Sequence, residues 1–358
     1  MTTVKALEAK HTLFDSVEEM LLPESLSSLL SKRVSKVEHH PMDNHNGAAG
    51  GRLSYVDTDN GRYVLKRMSI ESDWVMYATG DRRGRSVKLW QYGLLDRLLP
   101  HVEHQTIACA RDGEGWAILM NDLTGGLFSW NQPTAVNFSP LFLDALAHLH
   151  ATFWNDPLLH EDRIGLCSPA SLLNGSSLPV ARNRPDTIKS PIPIMVVEGW
   201  EIMEKLLDKD VFEQMHKLMK DPRPVFAALD RCPFTLLHGD YRDGNLAILP
   251  LRRPVAYDWQ FAARSLMTID LAWFVREGAV RAQEHRYYRE RLETYLQQKF
   301  DDERWETLVD LGYLFEALRV ASTQAYLSKH DSDPNRREFE KIKLLERNRQ
   351  VRHALRWL

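Results

Sequence analysis

The sequence predicts an α+β protein built as two unequal lobes, a small antiparallel sheet followed by a larger, mostly helical part. Three observations carry this reading. Short strand-like runs fill residues 36–68 and 105–120, punctuated by the hairpin signals Asp59-Asn60-Gly61 and Arg111-Asp112-Gly113-Glu114-Gly115. From Asn121-Asp122-Leu123 onward the apolar spacing is helical almost to the end. One hairpin interrupts that helical part: apolar runs at 246–249 and 255–257 flank Pro250-Leu251-Arg252-Arg253-Pro254. The expected lobes are residues 1–120, with a helical extension at the start, and residues 121–358.

Composition narrows the class. The 358 residues are 44% hydrophobic and 27% charged, an ordinary globular balance with room for a sizeable core. A net charge of -3 is too small to imply a nucleic-acid partner, and a near-neutral sum does not demand a cationic ligand. Cys109, Cys167 and Cys232 are far apart and lack metal-ligand spacing, so they read as reduced thiols. The first residues carry no apolar signal core, and no apolar run reaches bilayer-spanning length. The expectation is a soluble cytoplasmic protein without a nucleic-acid or membrane partner.

In chain order, residues 11–34 read as helix, with Leu13, Val17, Met20 and Leu21 at helical spacing and Leu26, Leu29 and Leu30 following Pro23. Strands are expected at 36–40, 52–56 and 62–68, with a glycine-rich loop at 41–51. Lys66 stands in an apolar strand, where an ammonium needs either a partner or an edge position facing water. Residues 72–99 read mostly as helix, then strands return at 105–110 and 115–120. In the second lobe, 140–154, 196–228, 268–300 and 301–330 are helical by pattern, and 341–358 is a basic amphipathic helix with a solvated face. His148 and His150 read as structural. The five prolines of 168–193 predict a long loop that serves as a substrate element or lid.

The chemistry gathers around one stretch, Leu237-His238-Gly239-Asp240-Tyr241-Arg242-Asp243-Gly244-Asn245, and its echo Tyr257-Asp258-Trp259. In an antiparallel hairpin the residue entering the first strand lies beside the one leaving the second. Asn245 and Asp258 therefore meet at the open end, with Asp240 on the loop just before. A carboxylate and an amide oxygen suit a hard cation such as Mg²⁺. Asp240 is then free to take a proton from a hydroxyl.

This ordered set resembles the aminoglycoside phosphotransferase and choline kinase group, the small-molecule branch of the protein-kinase-like fold, over about two thirds of the chain. His238-Gly239-Asp240 with Asn245 is similar to its catalytic loop, Asp258-Trp259-Gln260 to its metal motif, and Lys66 to its phosphate-holding lysine. Met120-Asn121-Asp122-Leu123 resembles the segment joining the lobes, and Asp270-Leu271-Ala272 the acidic brace after the metal site. The resemblance implies a bilobal kinase fold and an ATP- and Mg²⁺-dependent transfer of the γ-phosphate to a small-molecule hydroxyl. In that scheme Asp240 is the base and Arg242 neutralises charge on the transferring group. Asn245 and Asp258 hold Mg²⁺. Lys66, Gly50, Gly51, Met120, Asn121 and Leu123 contact ATP, and His238 orients the loop. Asp270 is either a brace or a helix N-cap.

Two features depart from the group's pattern. The first-lobe helix offers Ser86 where a glutamate normally pairs with the lysine, leaving Glu71, Asp73 or no partner for Lys66. The nucleotide loop is also longer and less regular. A protein kinase is the nearest rival, but the eleven residues between Asp258 and Asp270 leave no room for an ordered activation segment. A silent nucleotide-binding regulator is the alternative of another class. The acceptor stays open: Asp243, Glu277 and Glu284 suit an aminated one, Arg242, Arg264 and Arg276 an anionic one.

Overall fold

A computed structural model describes residues 7–42, 47–129, 135–275 and 279–358. The first lobe opens with two short helices, α1 (Val17–Met20) and α2 (Pro23–Leu30). They are shorter than the helix expected over 11–34, because Pro23 restarts the chain and Ser31 adopts a left-handed conformation at the end of α2. Five strands follow, β1 (Val37–Pro41), β2 (Arg52–Thr58), β3 (Gly61–Met68), β4 (Thr106–Asp112) and β5 (Gly115–Asn121), in the spatial order β1-β2-β3-β5-β4. All are antiparallel, and Asp59-Asn60 make the tight turn between β2 and β3.

The alternation of β3 decides where its lysine points. Tyr63 and Leu65 pack with Val17, Met20 and Leu26 of the first helices, whereas Met68 packs in the main core. Lys66 is in phase with Met68, so it faces the second lobe. It is not an edge lysine, since β3 lies between β2 and β5.

Between β3 and β4 the expected helix at 72–99 is broken into α3 (Trp74–Thr79), α4 (Arg85–Gln91) and one 3₁₀ turn at Leu95–Leu98. Gly80, Gly84 and Gly93 all take positive φ there, and each ends or starts a piece.

The second lobe is helical, as read. It contains α5 (Ser139–Thr152), α6 (Pro169–Asn174), α7 (Leu178–Arg182), α8 (Ile192–Leu206), α9 (Lys209–Lys220) and α10 (Arg223–Leu229). The strands β6 (Thr235–Leu237), β7 (Leu246–Leu249), β8 (Arg253–Ala256) and β9 (Ala263–Ser265) precede α11 (Thr268–Phe274), α12 (Ala279–Leu296), α13 (Asp302–His330) and α14 (Pro334–Ala354). Three expectations need correction. The 168–193 stretch is not one long loop: Pro169, Pro179 and Pro193 sit in the first turns of α6, α7 and α8, where proline is tolerated. The β7–β8 hairpin is not the lobe's sole sheet, because β6 pairs with β9 through Thr235↔Ser265 and Leu237↔Ala263. Strands of three residues are too short to show a period. The last helix begins at Pro334, and its basic face is not wholly solvated, since Arg347 is fully buried between Gln324 and Gln350. Among the described residues no helix is long and apolar enough to cross a membrane.

The α12–α13 packing carries an acid-sensitive histidine. His285 stacks on Tyr313 with its Nε2 3.0 Å from the phenol oxygen, and burial, helped by Arg281, pushes its pKa down to about 4. The unfolded chain thus binds a proton near pH 6.5 that the fold rejects. This contribution is full above pH 6.5 and is lost as pH falls towards 4. Replacing His285 by phenylalanine should remove about 2 kcal/mol of that acid destabilisation, measured as the difference in unfolding free energy between pH 7 and pH 4.5.

Candidate active site

The candidate catalytic loop, residues 238–245, is tied down by its backbone. Pairing of β6 with β9 sets Leu237 beside Ala263, and the next two backbone N–H groups, His238 and Gly239, donate to the Asp270 carboxylate at 2.7 and 2.9 Å. Asp270 is inside the first turn of α11, whose N-cap is Met267, so it braces the loop rather than capping the helix. His150 on α5 backs it at 3.4 Å, and the other nitrogen of that ring meets Tyr288 at 2.6 Å. Gly239 has φ 78°, and any side chain there would collide with the carbonyl of Phe261. This loop and the turn after Asp258 thus touch backbone to backbone, which only glycine permits.

His238 is fully buried. Its Nδ1 accepts from the Asp240 N–H at 3.3 Å and its Nε2 donates to the Tyr257 carbonyl at 2.9 Å. Burial lowers its pKa despite the carboxylates nearby, which keeps the ring neutral in that tautomer.

The Asp240 carboxylate receives a donor on each oxygen. The Trp273 indole N–H binds Oδ1 at 2.7 Å, and the Asn245 amide binds Oδ2 at 2.7 Å and the Asp240 carbonyl at 2.9 Å. Arg242 Nε lies 3.3 Å from Oδ1, its guanidinium over Gly244, where a side chain would occupy the same space. Burial pushes the Asp240 pKa up, but Arg242, Arg319 and the Trp273 bond outweigh it, and the carboxyl sits below its ordinary value.

Hairpin register brings the remaining oxygens in. Leu246 faces Ala256, and Tyr257 N donates to the Asn245 carbonyl at 3.1 Å, so Asn245 and Asp258 flank the open end. Asp258 holds a left-handed conformation, φ 64° and ψ 64°. Non-glycine residues pay for that geometry, and it concentrates where a side chain must be aimed. Across the lobes, Lys66 Nζ reaches Asp258 Oδ1 at 2.7 Å and Gln260 Oε1 at 2.6 Å, while Arg85 on α4 donates to the Gln260 carbonyl.

Lys66 forms its ion pair with Asp258; of the two first-lobe acids, Asp73 and not Glu71 lies near it. The Asp73 carboxylate is fully buried, with Oδ1 capping α3 through Met76 N at 3.1 Å and the Gln260 amide beside it. A Cβ on Gly51 would be 3.3 Å from Asp73 Oδ2 and 3.4 Å from Lys66 Cε, which places glycine loop, lysine and aspartate together. Burial raises the Asp73 pKa although Lys66 pulls it down. Glu71 is exposed, and Ser86 is buried with its hydroxyl unpartnered.

Other expected contacts are more dispersed. Met120 pairs with Val64 and Thr106, Asn121 N donates to the Gln105 carbonyl at 3.0 Å, and Leu123 packs on Ala247 and Val255 of the hairpin. Gly50 has φ 99° beside Ser72. Arg264 contacts His160 and Phe234, and Glu284 is buried against the Ser139 hydroxyl at 2.6 Å. Arg276, Glu277 and residues 43–46 of the glycine-rich loop lie outside the described residues.

Trp273 and Arg319 escaped the sequence reading. Arg319 on α13 is buried, pairs with Glu316 through two 3.0 Å bonds, and donates to the Gly239 carbonyl. Two signals were available: Trp273 is three residues from Asp270 on one helix face, and Glu316 and Arg319 are charges inside an apolar helical run.

Residues 45–308 match the APH phosphotransferase enzyme family. The chain belongs to that family. It is therefore a small-molecule kinase acting on hydroxyl groups, and its fold is protein-kinase-like. Two solved structures share the fold. A candidate aminoglycoside phosphotransferase from Ralstonia eutropha JMP134 is 15% identical, with 93% of this chain and 98% of that one aligned at a TM-score of 0.52. Plasmodium vivax ethanolamine kinase is 14% identical, with 91% and 83% aligned at 0.53. No curated protein sequence matches this phosphotransferase.

Proposed function

We propose that this phosphotransferase moves the γ-phosphate of ATP to a small-molecule hydroxyl, with Asp240 as base. The observation that carries the reading is the Lys66–Asp258 contact of 2.7 Å, which joins the sheet to the hairpin beside Asn245 and Asp240. Residues 1–120 would be the nucleotide lobe and 121–358 the acceptor lobe. An ATP donor and three free cysteines fit a cytoplasmic setting.

The donor set fits a magnesium ion. Asp258 is part-exposed with one oxygen on Lys66, and the Asn245 amide nitrogen is spent on Asp240, which turns its oxygen away from the base. Both present hard oxygen ligands. Bound there, Mg²⁺ supplies charge neutralisation on the ATP phosphates.

The chain's own residues do the rest. Lys66 holds phosphate oxygens, with Gly50 and Gly51 close enough for backbone approach. Met120, Asn121 and Leu123 line the joint where a base ring would be held. Asp240, ionised and fixed by Trp273 and Asn245, orients the acceptor hydroxyl and takes its proton. Arg242 faces the charge that develops in transfer.

The deciding experiment is an ATP-consumption screen over hydroxyl compounds: amino-alcohols, sugars, sugar acids and aminoglycosides. Phosphorylated product that forms with Mg²⁺ and not with excess chelator supports the reading. No product from any class, with nucleotide binding intact, favours the silent regulator.

Asp73 supplies a second check. Its ionised form is disfavoured by burial, so Asp73→Asn, which keeps a capping oxygen, should leave the nucleotide-free protein as stable or more stable near pH 7. The same change should leave ATP affinity within about threefold, because Lys66 makes its hydrogen bonds with Asp258 and Gln260 and none with Asp73. Unfolding curves and titration calorimetry read the two effects separately.

A further inference from the structure

The segment 183–191, between α7 and α8, belongs by sequence to the helical lobe yet hydrogen-bonds to the other one. Ser190 Oγ donates to the Ala48 carbonyl at 2.6 Å, Thr187 Oγ1 donates to the Glu71 carbonyl at 2.6 Å, and Tyr77 of α3 donates to the Asn183 carbonyl at 3.1 Å. The contacts bracket the point where the glycine-rich loop meets the start of α3. There the Trp74 N–H binds the Ala49 carbonyl at 2.6 Å, and Gly50 packs so closely that a Cβ would be 2.6 Å from the Ser72 oxygen. Gly51, next in line, lies against Lys66 and Asp73.

The segment is built to be stiff. Pro185 and Pro191 fix φ near its two ends, Ile188 N bonds back to the Pro185 carbonyl at 3.1 Å, and the Ile188 side chain is buried in the main core. Ser190 is buried as well, and its oxygen also receives the Ile192 N–H at 3.2 Å at the start of α8. A plain connection between two helices needs neither lobe-to-lobe hydroxyl donors nor a core anchor between them.

We propose that Thr187 and Ser190 are positioning residues for nucleotide binding, a strap from the acceptor lobe that holds residues 48–51, the end of the glycine-rich loop, in a phosphate-facing position. The proposal rests on the reading that Gly50 and Gly51 approach the ATP phosphates. A loop held in place before binding loses less conformational freedom when the ligand arrives, so the strap acts on affinity without touching the nucleotide. It therefore acts on phosphate-bearing ligands and leaves the base ring's own contacts alone.

Titration calorimetry on the full chain tests this with Mg²⁺ and a non-hydrolysable ATP analogue, and in parallel with adenosine. Thr187→Val and Ser190→Ala should each weaken the analogue about fivefold, and the double variant about twentyfold, as expected for one neutral hydrogen bond apiece. Adenosine affinity should stay within about twofold, and Ser190→Thr, which keeps the hydroxyl, should bind like the parent. Ser190→Ala also loses a bond at the start of α8. If it does not fold, the exposed Thr187→Val decides alone by its fivefold loss. Unchanged analogue affinity in the folded variants, or an equal loss for adenosine, overturns the strap. If Lys66→Ala weakens the analogue while the strap variants do not, the strap falls and the kinase reading stands. A parent protein that binds no analogue overturns both.

Discussion

Replacing Asp240 by asparagine lowers phosphoryl transfer about 10²–10⁴-fold while ATP affinity stays within a few-fold. The split follows from geometry. Asp240 touches Trp273, Asn245 and Arg242, whereas the lysine that would clamp ATP contacts Asp258 and Gln260. Removing the carboxylate takes away the proton acceptor and leaves the phosphate clamp whole. Quenched-flow turnover at saturating ATP and acceptor measures the first effect, and nucleotide titration the second. A variant that turned over at the parent rate would sink the base assignment. The pH profile adds a direction. The Asp240 carboxyl lies below its ordinary value, because Arg242 and Arg319 outweigh burial. Its base form therefore persists further into acid than an ordinary carboxylate's, and the acid side of the profile should fall only below the usual carboxylate range.

Asp258→Ala abolishes the stabilisation of the protein by Mg·ATP and costs the nucleotide-free protein little. At a hundredfold excess of ATP over its dissociation constant, binding raises unfolding free energy by about 2.7 kcal/mol, and this increment should vanish. The free protein loses a Lys66–Asp258 pair whose partners are 12% and 31% exposed, worth about 1 kcal/mol. Alanine tolerates the left-handed backbone at residue 258 less well than aspartate, which adds a smaller cost. Melting curves with and without Mg·ATP, and with Mg²⁺ chelated, separate the effects. An Asp258→Ala variant that kept the full magnesium-dependent shift would remove Asp258 from the metal site.

Much of the architecture was legible because it is local. Hairpin turns at Asp59-Asn60-Gly61 and 111–115 and the 246–257 hairpin follow from residue types a few positions apart, and all five first-lobe strands lie close to where alternation puts them. The errors share a cause. Prolines at 169–193 were read as breaking helix, whereas three of them open helices, a matter of position within a turn. The β6–β9 pair joins residues about thirty apart through three-residue strands that carry no period of their own. The helix at 72–99 was overextended because glycines with positive φ divide it at Gly80 and Gly84.

Local pattern along the chain was enough for the two-lobe order, the hairpin that sets Asn245 beside Asp258, and the residue types of the candidate site. Spacing and turn chemistry act over a few residues, and that is enough for those features. Which distant groups meet them follows from the packing of the two lobes. That packing joins Lys66 to Asp258 and Gln260, sets Asp73 rather than Glu71 near it, and brings Trp273 and Arg319 to the 238–245 loop. It also turned a proline-rich stretch into a link between the lobes. Such pairings depend on how sheet and helices pack, and no spacing along the chain encodes the distance between residues 66 and 258.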